Sequence, residues 1–183
     1  MKSLLSFILV ILFGLLYSCS SKVDPAYVAE IETWHQKRIA NLTKADGWLT
    51  LAGLFWLKEG ENRFGSDRTN DMVFPAGKAP AFMGSIFLDH GLTKVAVKPG
   101  VQVNIVDSTE ITEAVLYSDA NAKATVLEHG SLTWFIIKRG EKLGVRLRDR
   151  DHPARLQFKG IERYPVDPRS EERRVGKECR SRW

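Results

Sequence analysis

The spacing of apolar positions changes character several times along the chain. Residues Leu4 to Tyr17 form an almost unbroken apolar run, preceded by Met1-Lys2-Ser3 and followed by Ser18-Cys19-Ser20-Ser21. Tyr27, Ile31, Trp34 and Leu42 then recur at helical spacing, with Glu30, Glu32, Gln36 and Lys37 on the other faces. Asp24-Pro25 supplies an N-cap and a first-turn proline, and Asp46-Gly47 closes the segment, so a helix from about Pro25 to Leu42 is predicted. Beyond Gly47 the period shortens to that of strands, in brief runs divided by Gly, Pro, Asn and Asp. Strands are expected within 48–57, at Arg63-Phe64-Gly65 and Met72-Val73-Phe74, then over 81–88, 93–98, 101–106 and 114–117. The clearest hairpin joins 132–138 to 143–147 around Arg139-Gly140-Glu141-Lys142. The fold class expected is mainly β: an N-terminal α-helix followed by an antiparallel β-sandwich.

The two ends read as processing and non-native segments rather than fold. One cation before fourteen mainly apolar residues is the pattern of a secretory signal, and the run is short for a membrane span, which takes about 20 residues. Leu16-Tyr17-Ser18-Cys19 resembles a bacterial lipobox. That likeness implies cleavage after residue 18 and lipidation of Cys19, with residues 19–24 as a tether. A plain signal peptide with an incidental Cys, or a short uncleaved anchor, are the alternatives. The absence of Asp next to Cys19 favours the outer membrane, with the protein facing the periplasm. At the other end, Arg169 to Trp183 has neither apolar period nor turn signals. It matches, residue for residue, the translation of a common short-read sequencing adaptor. Residues 169–183 are therefore read as a non-native tail, and 25–168 as the domain.

Composition is ordinary for a globular chain, 44% hydrophobic and 27% charged, which excludes collagen-like, disulfide-dense and mostly disordered classes. The formal charge of +5 loses its meaning once the ends are set aside. The tail holds six of the 27 Lys/Arg and three of the 22 Asp/Glu, which leaves 21 against 19, or +2, and removing Lys2 leaves +1. No nucleic-acid partner is expected on that balance. Cys179 falls in the tail, so Cys19 is the one cysteine left, and it offers no disulfide, zinc cluster or thiol nucleophile to the mature domain.

Catalytic signatures are missing: no phosphate-cradling glycine loop, nucleophile elbow or paired-His motif occurs. His35, His90, His129 and His152 are scattered, and no catalytic, metal or cofactor residue is assigned. Trp34, Trp48, Phe55 and Trp56 are expected to join the helix to the sandwich core, with Trp34 buried against Leu51 or Phe55; an apolar cleft lined by these rings is the competing reading. The segment Arg146-Leu147-Arg148-Asp149-Arg150-Asp151 puts Arg146 and Arg148 on one strand face and Leu147 on the other. Arg146, Arg148, Asp149 and Arg155 form the candidate ligand or domain contact, because paired guanidiniums match carboxylate or phosphate bidentately. A solvated face with local Arg–Asp pairs is the competing reading.

Several segments together resemble the bacterial domain-of-unknown-function family 1684. They are Trp34 to Arg38, Gly47 to Leu57, Glu59-Gly60-Glu61-Asn62, Phe64-Gly65-Ser66-Asp67, Asn70-Asp71, Gly130-Ser131-Leu132, Ile137 to Gly140, Gly144 to Asp149, Phe158 to Ile161 and Tyr164-Pro165. The resemblance covers Ile31 to Pro168 and implies a secreted or lipid-anchored protein that continues into a second β-rich region. The 65–75 stretch is also similar to the start of a forkhead-associated sandwich, whose members read phosphothreonine. Here Ser66 stands where that pattern has Arg, and the later Ser-x-x-His is absent. The function expected is a lipid-anchored envelope protein, a non-catalytic binding or accessory module. It would be held at the membrane through Cys19 and meet an acidic small molecule or protein, or the downstream half of its own chain. The alternatives are the upstream half of a periplasmic enzyme, such as a hydrolase, and a phosphopeptide-type recognition domain.

Overall fold

A computed structural model describes residues 23–167, so Cys19, the signal segment and the 169–183 tail lie outside the described residues. The chain divides into two compact units, one holding residues up to Arg38 together with those from Ile161 onward, the other Ile39–Gly160. Helix α1, Pro25–Thr43, starts in the first and ends in the second. Asp24 begins it as expected: its side chain accepts from the Ala26 N–H at 2.9 Å and its carbonyl from the Val28 N–H. Within the first unit the Arg163 guanidinium pairs with Glu32. Trp34 is 56% exposed, with the Arg38 guanidinium 5.5 Å from its ring centroid. The expectation that Trp34 is a buried anchor is therefore corrected: helical spacing places it on a face, and that face meets solvent.

The larger unit is a sandwich of two five-stranded sheets. After a 3-10 turn at Trp48–Thr50 come β1 (Leu51–Trp56), β2 (Gly60–Gly65), β3 (Met72–Val73), β4 (Gly84–Asp89) and β5 (Leu92–Val97). They are followed by β6 (Asn104–Ile105), β7 (Glu113–Leu116), β8 (Val126–His129), β9 (Leu132–Arg139), β10 (Lys142–Asp149) and the short α2 (Pro153–Leu156). The first sheet runs β1-β10-β9-β8-β6 and the second β3-β2-β4-β5-β7. Every pairing is antiparallel except β2 with β3. The chain is thus mainly β with an N-terminal helix, as its pattern implies.

Alternation decides what is buried. Phe64, Ile86, Val95 and Leu116 point inward from the second sheet, and Leu127, Leu132, Trp134, Ile136, Val145 and Leu147 from the first. Phe64, Phe74 and Trp134 form an aromatic centre, with centroids 5.3 to 5.7 Å apart. Each side chain fully removed from water contributes about 1.5–3 kcal/mol, so this inner layer is the main source of stability. The expected hairpin is present, with Gly140 at φ 59° in its turn. Of the 101–106 run only Asn104–Ile105 pairs, and residues 48–50 form the 3-10 turn instead of a strand. Strand β8 is an addition to the expected set: its four residues contribute a single fully buried side chain, Leu127, too little to stand out as a period.

Candidate functional site

The register of the first sheet builds its outer face residue by residue. On β10, Arg146 lies opposite Phe135 of β9 and Leu54 of β1, while Arg148 lies opposite Thr133 and Leu51. The β1 register shifts between Leu51 and Gly53, so Ala52 is a bulge, and residues three apart, Leu51 and Leu54, come to share one face. Trp56 follows opposite Gly144, where the lack of a side chain lets the ring approach: a Cβ there would sit 2.9 Å from Trp56 Cε3. The resulting surface carries Trp48 at 70%, Leu54 at 50% and Trp56 at 46% exposure, beside the two arginines. Of the aromatics expected in the core only Phe55 belongs there, packed on the inner layer with its ring 6.5 Å from Phe74. The correction has a simple cause, since Trp48 precedes the strand and Trp56 has the opposite parity to Phe55.

A small cavity of about 50 Å³ opens between Asp46, Gly47, Trp48, Leu51, Arg146 and Arg148. The Arg148 guanidinium stacks over Phe135, 5.1 Å from the ring centroid. Its Nε is buried and, among the described residues, has no hydrogen-bond partner. Burial pushes the Arg148 guanidinium below its usual pKa, Asp46 pulls it back up, and Arg146 lowers it further. A desolvated cation with an unused donor beside a second cation is an arrangement that a carboxylate or phosphate relieves.

The other two members of the predicted cluster are elsewhere. Asp149 has the opposite parity to Arg148, is 2% exposed, and is fully engaged. Lys78 Nζ donates to its Oδ2 at 2.5 Å, and the Ser131 hydroxyl and the Asp151 N–H donate to its Oδ1 at 2.7 and 2.9 Å. Arg155, on α2, donates from Nε to the Thr43 carbonyl at 2.8 Å and from Nη1 to the Arg150 carbonyl at 2.9 Å. It thus satisfies the C-terminal end of α1. The four-residue contact is corrected to a pair, Arg146 with Arg148, plus two structural residues. The parity rule that united the arginines already separates Asp149 from them; no sequence pattern signals Lys78.

Opposite this face in chemistry is a cleft of about 520 Å³ lined by residues of β5, β7 and the turns around His90 and Glu141. His90 (φ 47°) and Gly91 (φ 89°) make the two-residue turn between β4 and β5. A hydrogen bond to Asp89 and its charge raise the His90 pKa, and the Nδ1–Oδ1 distance is 2.6 Å. Both side chains are exposed, and the Ser118 hydroxyl near them is held by Asn121 at 3.2 Å. Among the described residues, no three His, Asp or Glu side chains gather as a metal-holding group. In the region that resembles a forkhead-associated sandwich, Ser66 Oγ donates to the Ala79 carbonyl at 2.8 Å and so serves the loop itself.

The solved structures to which the chain is similar include forkhead-associated (FHA) domains. One is the FhaA FHA domain complexed with the intracellular domain of Rv3910: 14% identity, 52% of this chain and 97% of that one, TM-score 0.37. A second is the FHA-2 domain from the Mycobacterium tuberculosis ABC transporter Rv1747: 19% identity, 49% and 77% coverage, TM-score 0.36. A third is Mycobacterium tuberculosis EmbR in complex with a low affinity phosphopeptide: 10% identity, 79% and 34% coverage, TM-score 0.34. No family model matches the chain, and no curated protein matches it.

Proposed function

We propose that this protein is a binding module of the bacterial cell envelope, held at the membrane through a lipid on Cys19, whose contact surface is the Arg146–Arg148 face of the first sheet. The observation that carries the reading is the Arg148 side chain: partly desolvated over Phe135, short of a partner at Nε, and next to Arg146. An anionic group in that position gains two charge-assisted partners, and it lies against Trp48, whose fluorescence reports on it. The likeness of several segments to family 1684 and the lipobox pattern support the envelope part of the reading. The cavity offers two cations, the single carboxylate of Asp46 and the Trp48 ring, a set suited to holding an anion beside Arg146 and Arg148.

The test is titration of the full chain with polyglutamate, and separately with inorganic phosphate, followed by tryptophan emission. Saturable change that weakens with added salt and disappears in the Arg146→Ala, Arg148→Ala double variant, with an unchanged melting temperature, is the expected result. An equal response from the double variant removes this face as the binding surface.

A further inference from the structure

Four strands form the edges of the two sheets, and three of them are blunted. β6 and β3 have two residues each, and β7 has four and begins with Glu113. The fourth, β1, runs six residues as Leu-Ala-Gly-Leu-Phe-Trp, with no charge and no proline, and the bulge at Ala52 leaves Gly53 to Trp56 as a regular stretch of edge. Long, uncharged edges are what folded proteins avoid, because their free N–H and C=O groups pair with any passing strand. Among the described residues, the free groups of β1 can be identified. The Leu57 N–H donates to the Leu143 carbonyl at 3.0 Å, so in the antiparallel register Phe55 and Gly53 also face β10. The N–H and C=O of Leu54 and Trp56 therefore point away from β10, to the open side of the sheet.

We propose that β1 receives an extended segment of a partner polypeptide, which adds a sixth strand to the first sheet and carries carboxylates toward Arg146 and Arg148. This rests on the reading of that face as an anion-binding surface. Charge complementarity selects the occupant, row by row across the sheet. The row of Trp56 ends on Gly144, without charge, and accepts an apolar residue against the indole. The rows of Leu54 and Leu51 end on Arg146 and Arg148, and each accepts an acidic residue. An added strand lies roughly 10 Å from β10, two strand spacings, which a carboxylate and a guanidinium side chain span between them. Main-chain pairing supplies affinity and the rows supply selectivity, as in other strand-addition complexes.

The experiment uses the full chain and a short blocked peptide with one Val and two Glu on one strand face and Thr elsewhere. Binding is measured by calorimetry, and amide hydrogen exchange is read at Leu54 and Trp56. Slowed exchange at those two amides on peptide addition is expected. Methylating a peptide nitrogen that faces β1 should weaken binding about tenfold, the loss of one backbone hydrogen bond. Replacing both Glu by Lys should abolish it. If the methylated peptide binds as well as the parent while the double arginine variant binds weakly, strand addition is wrong and the anion-binding face stands. If neither change matters, both fall. Protection of Leu54 and Trp56 by anionic phospholipid vesicles but not by peptide, or by self-association without peptide, overturns the proposal in favour of a membrane or a second copy.

Discussion

Lys78 Nζ lies 2.5 Å from Asp149 Oδ2, a contact that links residues 71 apart in sequence. Lys78 sits in the loop between β3 and β4 of the second sheet, and Asp149 ends β10 of the first. The pair therefore ties the two layers at one end of the sandwich. Burial works against the Asp149 carboxylate, but Lys78, the Ser131 hydroxyl and the Asp151 N–H outweigh it and leave its pKa below the usual value.

Removing the carboxylate should loosen that end. Asp149→Ala is expected to cost about 3 kcal/mol, the lower end of what breaking a buried pair from one side costs, since Lys78 can turn to solvent. The pH dependence follows from the direction of the shift. A carboxylate with a folded pKa below its unfolded value contributes stability above the unfolded value, near 3.8, and loses it as pH falls through the folded value. Denaturant melts between neutral pH and pH 2 should therefore converge for wild type and Asp149→Asn as acid is added. Parallel curves across the whole range would show that Asp149 is not held ionised by these contacts.

A second prediction concerns Gly65, which ends β2 with φ 153°. A Cβ there would stand 2.3 Å from the Ala81 carbonyl oxygen, a backbone atom that cannot swing away. Gly65→Ala should cost about 3 kcal/mol, the upper end for overpacking, measured by urea denaturation. Gly91, in the β4–β5 turn, has open space around its Cβ position and only the positive φ to oppose a side chain. Gly91→Ala should therefore cost about 1 kcal/mol. Equal costs would mean that the close approach at Gly65 is absent.

Local periodicity made the helix, the β9–β10 hairpin and the mainly β class legible, because each rests on residues near in sequence. The Arg146–Arg148 pair was legible for the same reason, since strand parity is a local property. Its setting was not. The bulge at Ala52 brings Leu51 and Leu54 onto the arginine face, and its one local mark is Gly53, a residue that equally fits a turn or a close approach of backbone. Asp149 was grouped with the arginines by proximity in sequence, whereas its partner Lys78 belongs to a distant loop. Aromatic residues were the least informative, because Trp is large enough to be core or surface. Trp134 is fully buried, while Trp34, Trp48 and Trp56 are exposed, and residue type alone does not separate them.

That contrast among tryptophans is itself testable. Trp134 packs between Phe64 and Phe74 with no exposure, so Trp134→Ala should cost about 3–5 kcal/mol. Among the described residues its buried Nε1 has no partner, so Trp134→Phe removes an unsatisfied donor along with volume and should cost clearly less than the alanine change. Trp34→Ala, at an exposed site, should fall within about 0.5 kcal/mol of wild type. Thermal melts of the three variants give the order directly. A large loss for Trp34→Ala would restore it as a structural anchor.

The last prediction concerns the membrane. If Cys19 carries two or more acyl chains, attachment is lasting, whereas one chain gives only marginal binding, about 10⁴ M⁻¹. Anchorage at a surface also raises the local concentration of any partner held at the same membrane, so a modest intrinsic affinity at the Arg146–Arg148 face suffices for steady occupancy. Cells expressing the wild type and supplied with labelled palmitate should incorporate label into this protein, and Cys19→Ala should abolish it. In fractionation, the wild type should stay with the membranes through a high-salt wash and leave only with detergent. Labelling that persists in the variant, or release of the wild type by salt alone, would reject lipid anchorage. The predicted face would then have to hold its partner by its own affinity, which raises the binding that the polyglutamate titration must detect.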